Sequence, residues 1–155
     1  MDARPLLERV VRALEKHHLE VVLIGNAGAA LQGAPVTTLD FDFMFRKTAT
    51  NLRKLKSVTT ELGGCLYRPF HPASDMYRLV NEDIGLQVDF LVAAHGIRSF
   101  ESLRSRSVTV ELHAGPLRVA ALRDIIRSKA AANRPRDRAV LPVLKATLRE
   151  KETRE

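Results

Sequence analysis

In "TLDFDFMF" (Thr38 to Phe45) two acids, Asp40 and Asp42, alternate with Leu39, Phe41, Phe43 and Phe45. Read as a strand, the segment puts the four apolar residues on one face and Asp40, Asp42 and Met44 on the other. Carboxylates at i and i+2 then stand about 6.6 Å apart at their Cα atoms and point the same way, so they can converge on one cation or on two adjacent cations. A second segment, "GLQVDFLVA" (Gly85 to Ala93), repeats the pattern, with Leu86, Val88 and Phe90 on one face and Gln87, Asp89 and Leu91 on the other. Three carboxylates gathered without a cation repel one another, and each needs solvent or a raised pKa to stay there. Mg²⁺ or Mn²⁺ resolves that conflict, because hard oxygen ligands suit these ions and leave coordination positions open for phosphate oxygens and water.

A bare D-x-D pair is a weak signal, since acids alternate on many solvated strands and since dehalogenase-like phosphatases and some glycosyltransferases also carry one. Phe41, Phe43 and Phe45 argue against the solvated strand, because they bury its opposite face. The dehalogenase pattern wants a Thr two residues after the second Asp, where this chain has Met44. Upstream, Gly25-Asn26-Ala27-Gly28 lies where a strand turns into a helix, a place where backbone N–H groups can hold phosphate. It lacks the Gly-Lys-Ser/Thr of a Walker loop and the glycine spacing of a dinucleotide fold, and taken by itself such a turn is more often just tight packing. Lys129 falls seven residues after Leu122, on a stripe where an apolar side chain belongs, so it either snorkels to water or faces a charged cleft. The histidines form no rival site: His17 and His18 adjoin near a helix end, and His71, His95 and His113 lack zinc-like spacing and read as surface residues.

The elements that must carry these residues follow from periodicity. Pro5 can open an amphipathic helix over residues 4 to 17, with Leu6, Leu7, Val10, Val11 and Leu14 at helical spacing. "EVVLIG" (Glu20 to Gly25) is a buried strand ended by glycine, and the alanine-rich run from Asn26 to Gly33 is a short helix. Thr48 or Thr50 can cap a helix that Gly63-Gly64 ends. Strands are expected at Cys65 to Arg68 and Met76 to Val80, a short helix near Ser99 to Arg106, and strands again in "VTVEL" and "PLRVA". Ala121 to Ala132 forms a helix with Leu122, Ile125 and Ile126 inward, and Pro135 starts a last one that Pro142 must kink or divide. The tail "REKETRE" is expected to fray.

With 155 residues, 45% hydrophobic and 28% charged, the chain has the profile of one folded domain with a core over about 20–119 and a helical segment over about 120–150. Runs such as "FLVAA" fall far short of the ~20 apolar residues that span a bilayer, and the N-terminus reads as a helix and not as a signal peptide, which places the protein in the cytoplasm. Cys65, the single cysteine, cannot form an internal disulfide and is expected to be a small buried residue. Of the net charge of +7, six units lie in residues 118–155, which hold 11 Lys or Arg against 5 Asp or Glu. Such a segment suits a polyanion, a triphosphate or RNA, although a pair of solvated helices would have the same composition.

The stretch "VVLIGNAGAALQGAPVTTLDFDFMF", followed by "LQVDFLV", resembles the nucleotidyltransferase superfamily, above all its minimal and AbiEii-like branches. Those proteins are built on a hydrophobic strand, a Gly-Gly or Gly-Ser turn, a helix, a T-x-D-x-D strand and a later strand with a third acid. Gly25, Thr38, Asp40, Asp42 and Asp89 fall on that pattern, and Lys129 with the Arg134 to Asp137 group matches the C-terminal helical segment. The resemblance covers residues 20 to 145. It implies an α+β fold, a mixed sheet flanked by helices with the C-terminal helices closing the cleft. It further implies that Asp40, Asp42 and Asp89 bind Mg²⁺ or Mn²⁺, that Asp89 helps activate an acceptor hydroxyl, and that Gly25, Asn26, Thr38 and Lys129 contact a nucleoside triphosphate. The acceptor would be a protein hydroxyl, a tRNA end or a small molecule, and the branch often occurs with a toxin or antitoxin partner protein. Asn26 departs from the pattern, which has Gly or Ser there. Two other readings stay open: an inactive nucleotide- or partner-binding module of the same fold, and an RNA-binding protein using the basic segment, for which few aromatics are available to stack bases.

Overall fold

The computed structural model describes residues 3–154. Its frame is a seven-stranded mixed sheet in the order β3-β4-β5-β2-β1-β7-β6, formed by β1 (Val22–Ile24), β2 (Asp40–Met44), β3 (Cys65–Tyr67), β4 (Tyr77–Asn81), β5 (Leu86–Leu91), β6 (Val108–Leu112) and β7 (Gly115–Val119). The pairs β2/β5 and β1/β7 are parallel and the rest antiparallel. Because successive side chains leave a strand on opposite faces, each strand of the centre serves two cores at once. Phe41, Phe43, Val88 and Phe90 turn to one side, where α1 (Arg4–Lys16) delivers Leu7, Val10 and Leu14 and α3 (Ala49–Glu61) delivers Leu55 and Val58. Phe43 and Phe90 stack at 5.7 Å, and Phe45 meets both Phe90 and Tyr77 edge-on.

Val22, Ile24 and Met44 turn to the other side, against a second core built from α2 (Gly25–Ala30), α4 (Phe100–Arg106), α5 (Leu122–Ala132) and α6 (Pro135–Arg154). Gly28 in α2 has a packing reason: a Cβ there would come within 3.1 Å of both the Leu23 carbonyl and Ile125 Cδ1, so glycine lets the helix lie against the sheet and α5. The helix starts are fixed chemically where the sequence offers a hydroxyl. Thr48 accepts from Asn51 N–H at the head of α3, and Ser99 does the same for Ser102 at the head of α4. No described helix is long and apolar enough to cross a membrane.

Three expectations need correction. Of the two outcomes expected at Pro142, a kink or a division, the division does not occur: the last helix runs unbroken from Pro135 to Arg154. Pro142 is exposed, so its ring and its missing N–H fall on the solvent side, where water can take up the freed carbonyl. That continuity also carries the tail that was expected to fray, through Arg154, with Lys151 bonded to Gln32. Cys65 is exposed and not buried, because β3 is an edge strand with only one neighbour.

Candidate active site at the acidic end of the sheet

The register decides what the acids can do. In the parallel pairing of β2 with β5, Asp42 stands opposite Asp89 and Asp40 opposite Gln87. On the other side Ile24 stands opposite Asp42, and in β4 Arg78 stands opposite Asp89. A row crosses four strands in the order Arg78, Asp89, Asp42, Ile24, at roughly 4.8 Å per step. Its polar members leave the sheet on the side of α2, α5 and α6, since Asp42 shares the parity of Met44 in the second core. Thus the alternation read from sequence holds: the phenylalanines fill one core and the aspartates crown the other.

The three carboxylates differ in their surroundings. Asp40 is exposed, Asp42 is half-buried and Asp89 is buried. Burial, followed by the neighbouring charges of Asp89 and Asp40, pushes Asp42 up to about 6, against the pull of Lys129 and Arg134. Neither Asp40 nor Asp42 has an ion-pair partner within salt-bridge distance among the described residues. Asp89 does: Arg78 spans it with Nε on Oδ1 at 2.8 Å and Nη2 on Oδ2 at 3.1 Å, a fork-on-fork pair. Arg78 is held charged first by that hydrogen bond and then by the fields of Asp89, Asp40 and Asp42. The trio is therefore brought together in register but does not close on one point; among the described residues no three acids, histidines or cysteines form a ready cation cage.

The residues around the acids sort into contacts and supports. Gly25 sits at the β1–α2 turn with φ +70°, and a Cβ at that position would come 2.8 Å from Asp42 Oδ2, so both the backbone conformation and the close approach require glycine. Next to it, Asn26 carries a buried side-chain oxygen, Oδ1, with no hydrogen-bond partner. Thr38 does not reach outward: its hydroxyl donates to the Asp40 carbonyl at 3.2 Å and accepts from the Asp40 N–H at 3.1 Å, fixing the entry into β2. Lys129 faces the charged cleft of the two options open to it. Its ammonium lies 3.8 Å from Asp137 Oδ1, its side chain is 14% exposed, and burial lowers its pKa while Asp137 and Asp42 oppose that. Asp137 in turn is pinned by Arg134 through Nε at 2.6 Å and through the backbone N–H at 3.1 Å.

Sequence reasoning did not single out Arg78. Its signal was present in "MYRLV", where alternation sets it opposite Tyr77 and Leu79, but only the pairing of β4 with β5 brings it to Asp89. Phe70, 54% exposed, was missed as well; its ring centroid lies 5.8 Å from the Arg78 guanidinium carbon.

The donor set fits a divalent magnesium-like ion at Asp40 and Asp42: two carboxylates without an ion-pair partner among the described residues, one of them pushed toward protonation by burial and then by its acidic neighbours. No family model matches the chain, and no curated protein matches it either. Solved structures do share its fold. A candidate nucleotidyltransferase from Thermotoga maritima superposes with a TM-score of 0.61 at 18% identity, covering 97% of this chain and 92% of its own. The antibiotic-resistance factor ANT(2")-Ia, solved with adenylyl-2"-tobramycin, gives 0.65 at 15% identity over 93% and 88%. LnuA, a lincosamide antibiotic adenylyltransferase solved with lincomycin, gives 0.60 at 13% identity over 86% and 90%. At these identities the likeness is one of fold: a mixed sheet flanked by helices, as nucleotidyltransferases have it.

Proposed function

We propose that the chain is a metal-dependent nucleotidyltransferase, moving a nucleoside monophosphate from a nucleoside triphosphate such as ATP to an acceptor hydroxyl in the cytoplasm. The observation that carries this reading is the in-register row of Asp42 and Asp89 with Asp40 beside it, left partly without cations on the face that Lys129 lines. Structural acids are normally paired, and carboxylates kept together at an electrostatic cost point to a ligand that repays it.

Asp40 and Asp42 would hold Mg²⁺ or Mn²⁺, with Asp89 completing the trio. Bound there, the ion supplies positive charge to the entering and leaving oxygens of an in-line displacement at phosphorus. The chain's own residues do the rest. Gly25 leaves the Asp42 carboxylate open on the turn side, Thr38 fixes the start of the strand that aims both acids, and the Asn26 side-chain amide N–H₂ would donate to a phosphate oxygen, its buried Oδ1 being an acceptor. Lys129, steadied by Asp137, meets phosphate charge as a compact ammonium. Fold neighbours that adenylylate antibiotics support a small-molecule hydroxyl as acceptor, while the sequence resemblance also supports a protein hydroxyl or a tRNA end within a toxin–antitoxin pair.

One observation favours a second reading, an inactive nucleotide- or partner-binding module: Arg78 already occupies both oxygens of Asp89. Incubation with each labelled triphosphate and Mg²⁺, alone and with cell extract, separates the two. Transfer of label that disappears in both Asp40→Asn and Asp42→Asn supports the enzyme. Absence of transfer together with absence of metal-dependent triphosphate binding supports the module, and transfer that persists in both variants refutes the ligand assignment.

A further inference from the structure

The fork of Arg78 on Asp89 sets the charge balance of the site. Three carboxylates carry three negative charges, and Arg78 removes one of them permanently, since a guanidinium does not release its proton in a protein. The remainder is matched by a single divalent ion. Location then decides where that ion can sit. Asp89 spends Oδ1 on Nε at 2.8 Å and Oδ2 on Nη2 at 3.1 Å, so an ion approaching either oxygen meets a fixed positive charge. Asp40 and Asp42 carry no such guard. Phe70 lies against the guanidinium at 5.8 Å, and the strand register places Arg78 directly opposite Asp89, so the fork is held by backbone pairing and by a ring as well as by charge.

From this the geometry points to Arg78 as a positioning residue that stands in for a second cation beside the three carboxylates: without nucleotide the protein binds a single divalent ion, at Asp40 and Asp42, and Asp89 becomes a ligand only when Arg78 is removed or drawn away. The inference rests on the metal site proposed above and deepens it. A triphosphate is the natural agent to draw Arg78 off, because its oxygens offer the same bidentate geometry as the carboxylate they would replace.

Mn²⁺ titration of the full-length, nucleotide-free protein, followed by electron paramagnetic resonance of the free ion, tests it directly. Wild type is expected to take up one Mn²⁺, Arg78→Ala two, and the double variant Arg78→Ala with Asp89→Asn one again. Asp89→Asn alone should weaken the first ion, because it leaves the Arg78 charge unpaired beside Asp42 and Asp40, but by less than Asp42→Asn, which should weaken it by about 100-fold or more. Arg78→Gln keeps the stem as far as Cδ and a polar end without the charge, and serves where the alanine variant folds poorly; it too is expected to take two ions. Melting curves give a second readout, since saturating Mn²⁺ should raise the melting temperature of Arg78→Ala more than that of wild type. Two ions in wild type, or one in both Arg78 variants, overturns the inference while leaving the metal site standing. No Mn²⁺ in any of the proteins overturns both.

Discussion

Two groups of acids lie on the same side of the sheet and are treated in opposite ways. In the seam between α5 and its neighbours α4 and α6, Asp124 is 1% exposed and Asp137 0%, and each is bound by arginines: Arg106 and Arg127 for the first, Arg134 for the second. At the tip of β2, Asp40 and Asp42 have no such partner, and Asp42 is raised to about 6 by its burial and its acidic neighbours. Asp137, though burial works the other way, is held below the usual carboxylate range by Arg134. The seam therefore shows what this chain does with an acid it needs for structure, and the strand tip shows an acid kept for something else. Asp89 lies between the two classes, buried and paired like the first and in register with the second.

The contrast can be broken most forcefully at Asp137. Asp137→Ala should cost about 2–4 kcal/mol in urea unfolding, near the lower part of the range for a broken buried pair because Arg134 stays partly in water. Next comes Gly25→Ala, which forces a Cβ into left-handed backbone and against Asp42 Oδ2. A loss of about 1–2 kcal/mol is expected, together with at least roughly tenfold weaker Mn²⁺ binding measured by calorimetry. Asp42→Asn should do the reverse of Asp137→Ala and stabilise the metal-free protein, by about 1–2 kcal/mol or roughly 3–6 °C in melting temperature. If Asp42→Asn destabilised it as Asp137→Ala does, the two groups of acids would be the same in kind.

A gentler probe of the same difference is pH. A carboxyl whose pKa is higher in the folded state than in the unfolded chain binds more protons when folded, so its ionisation works against folding. For Asp42, whose pKa rises from an ordinary value to about 6, stability of the metal-free protein should fall by about 2 kcal/mol as pH rises through the window of about 4 to 6, then level off. Urea midpoints across that window are expected to show the slope in wild type and to lose it in Asp42→Asn. Saturating Mg²⁺ should flatten it as well, because the cation favours the ionised form.

Much of the frame was legible because local pattern and tertiary role coincide. Strict alternation in "TLDFDFMF" and "GLQVDFLVA" matches strands that serve a core on each face, and Thr48 caps its helix because a hydroxyl at that position accepts from the third N–H of the first turn. The placement of Lys129 was half legible: its intrusion on an apolar stripe marked it as unusual, but whether it faced water or a cleft depended on α6. Arg78 was not legible, since nothing within β4 says which strand will lie beside it or in which register. Pro142 and Cys65 misled for a related reason. What a proline or a cysteine does depends on the side of the element that meets solvent, and that was decided by neighbours far away in sequence.

The central claim is that Asp40 and Asp42 hold a divalent ion against a triphosphate. Anomalous diffraction from crystals grown with Mn²⁺ and a non-hydrolysable nucleoside triphosphate tests it most directly. A manganese peak about 2.0–2.3 Å from carboxylate oxygens of both Asp40 and Asp42, with phosphate oxygens completing its shell and reaching toward Lys129, is the expected result. Nucleotide bound elsewhere, or bound in the cleft with no peak at those two carboxylates, would contradict it.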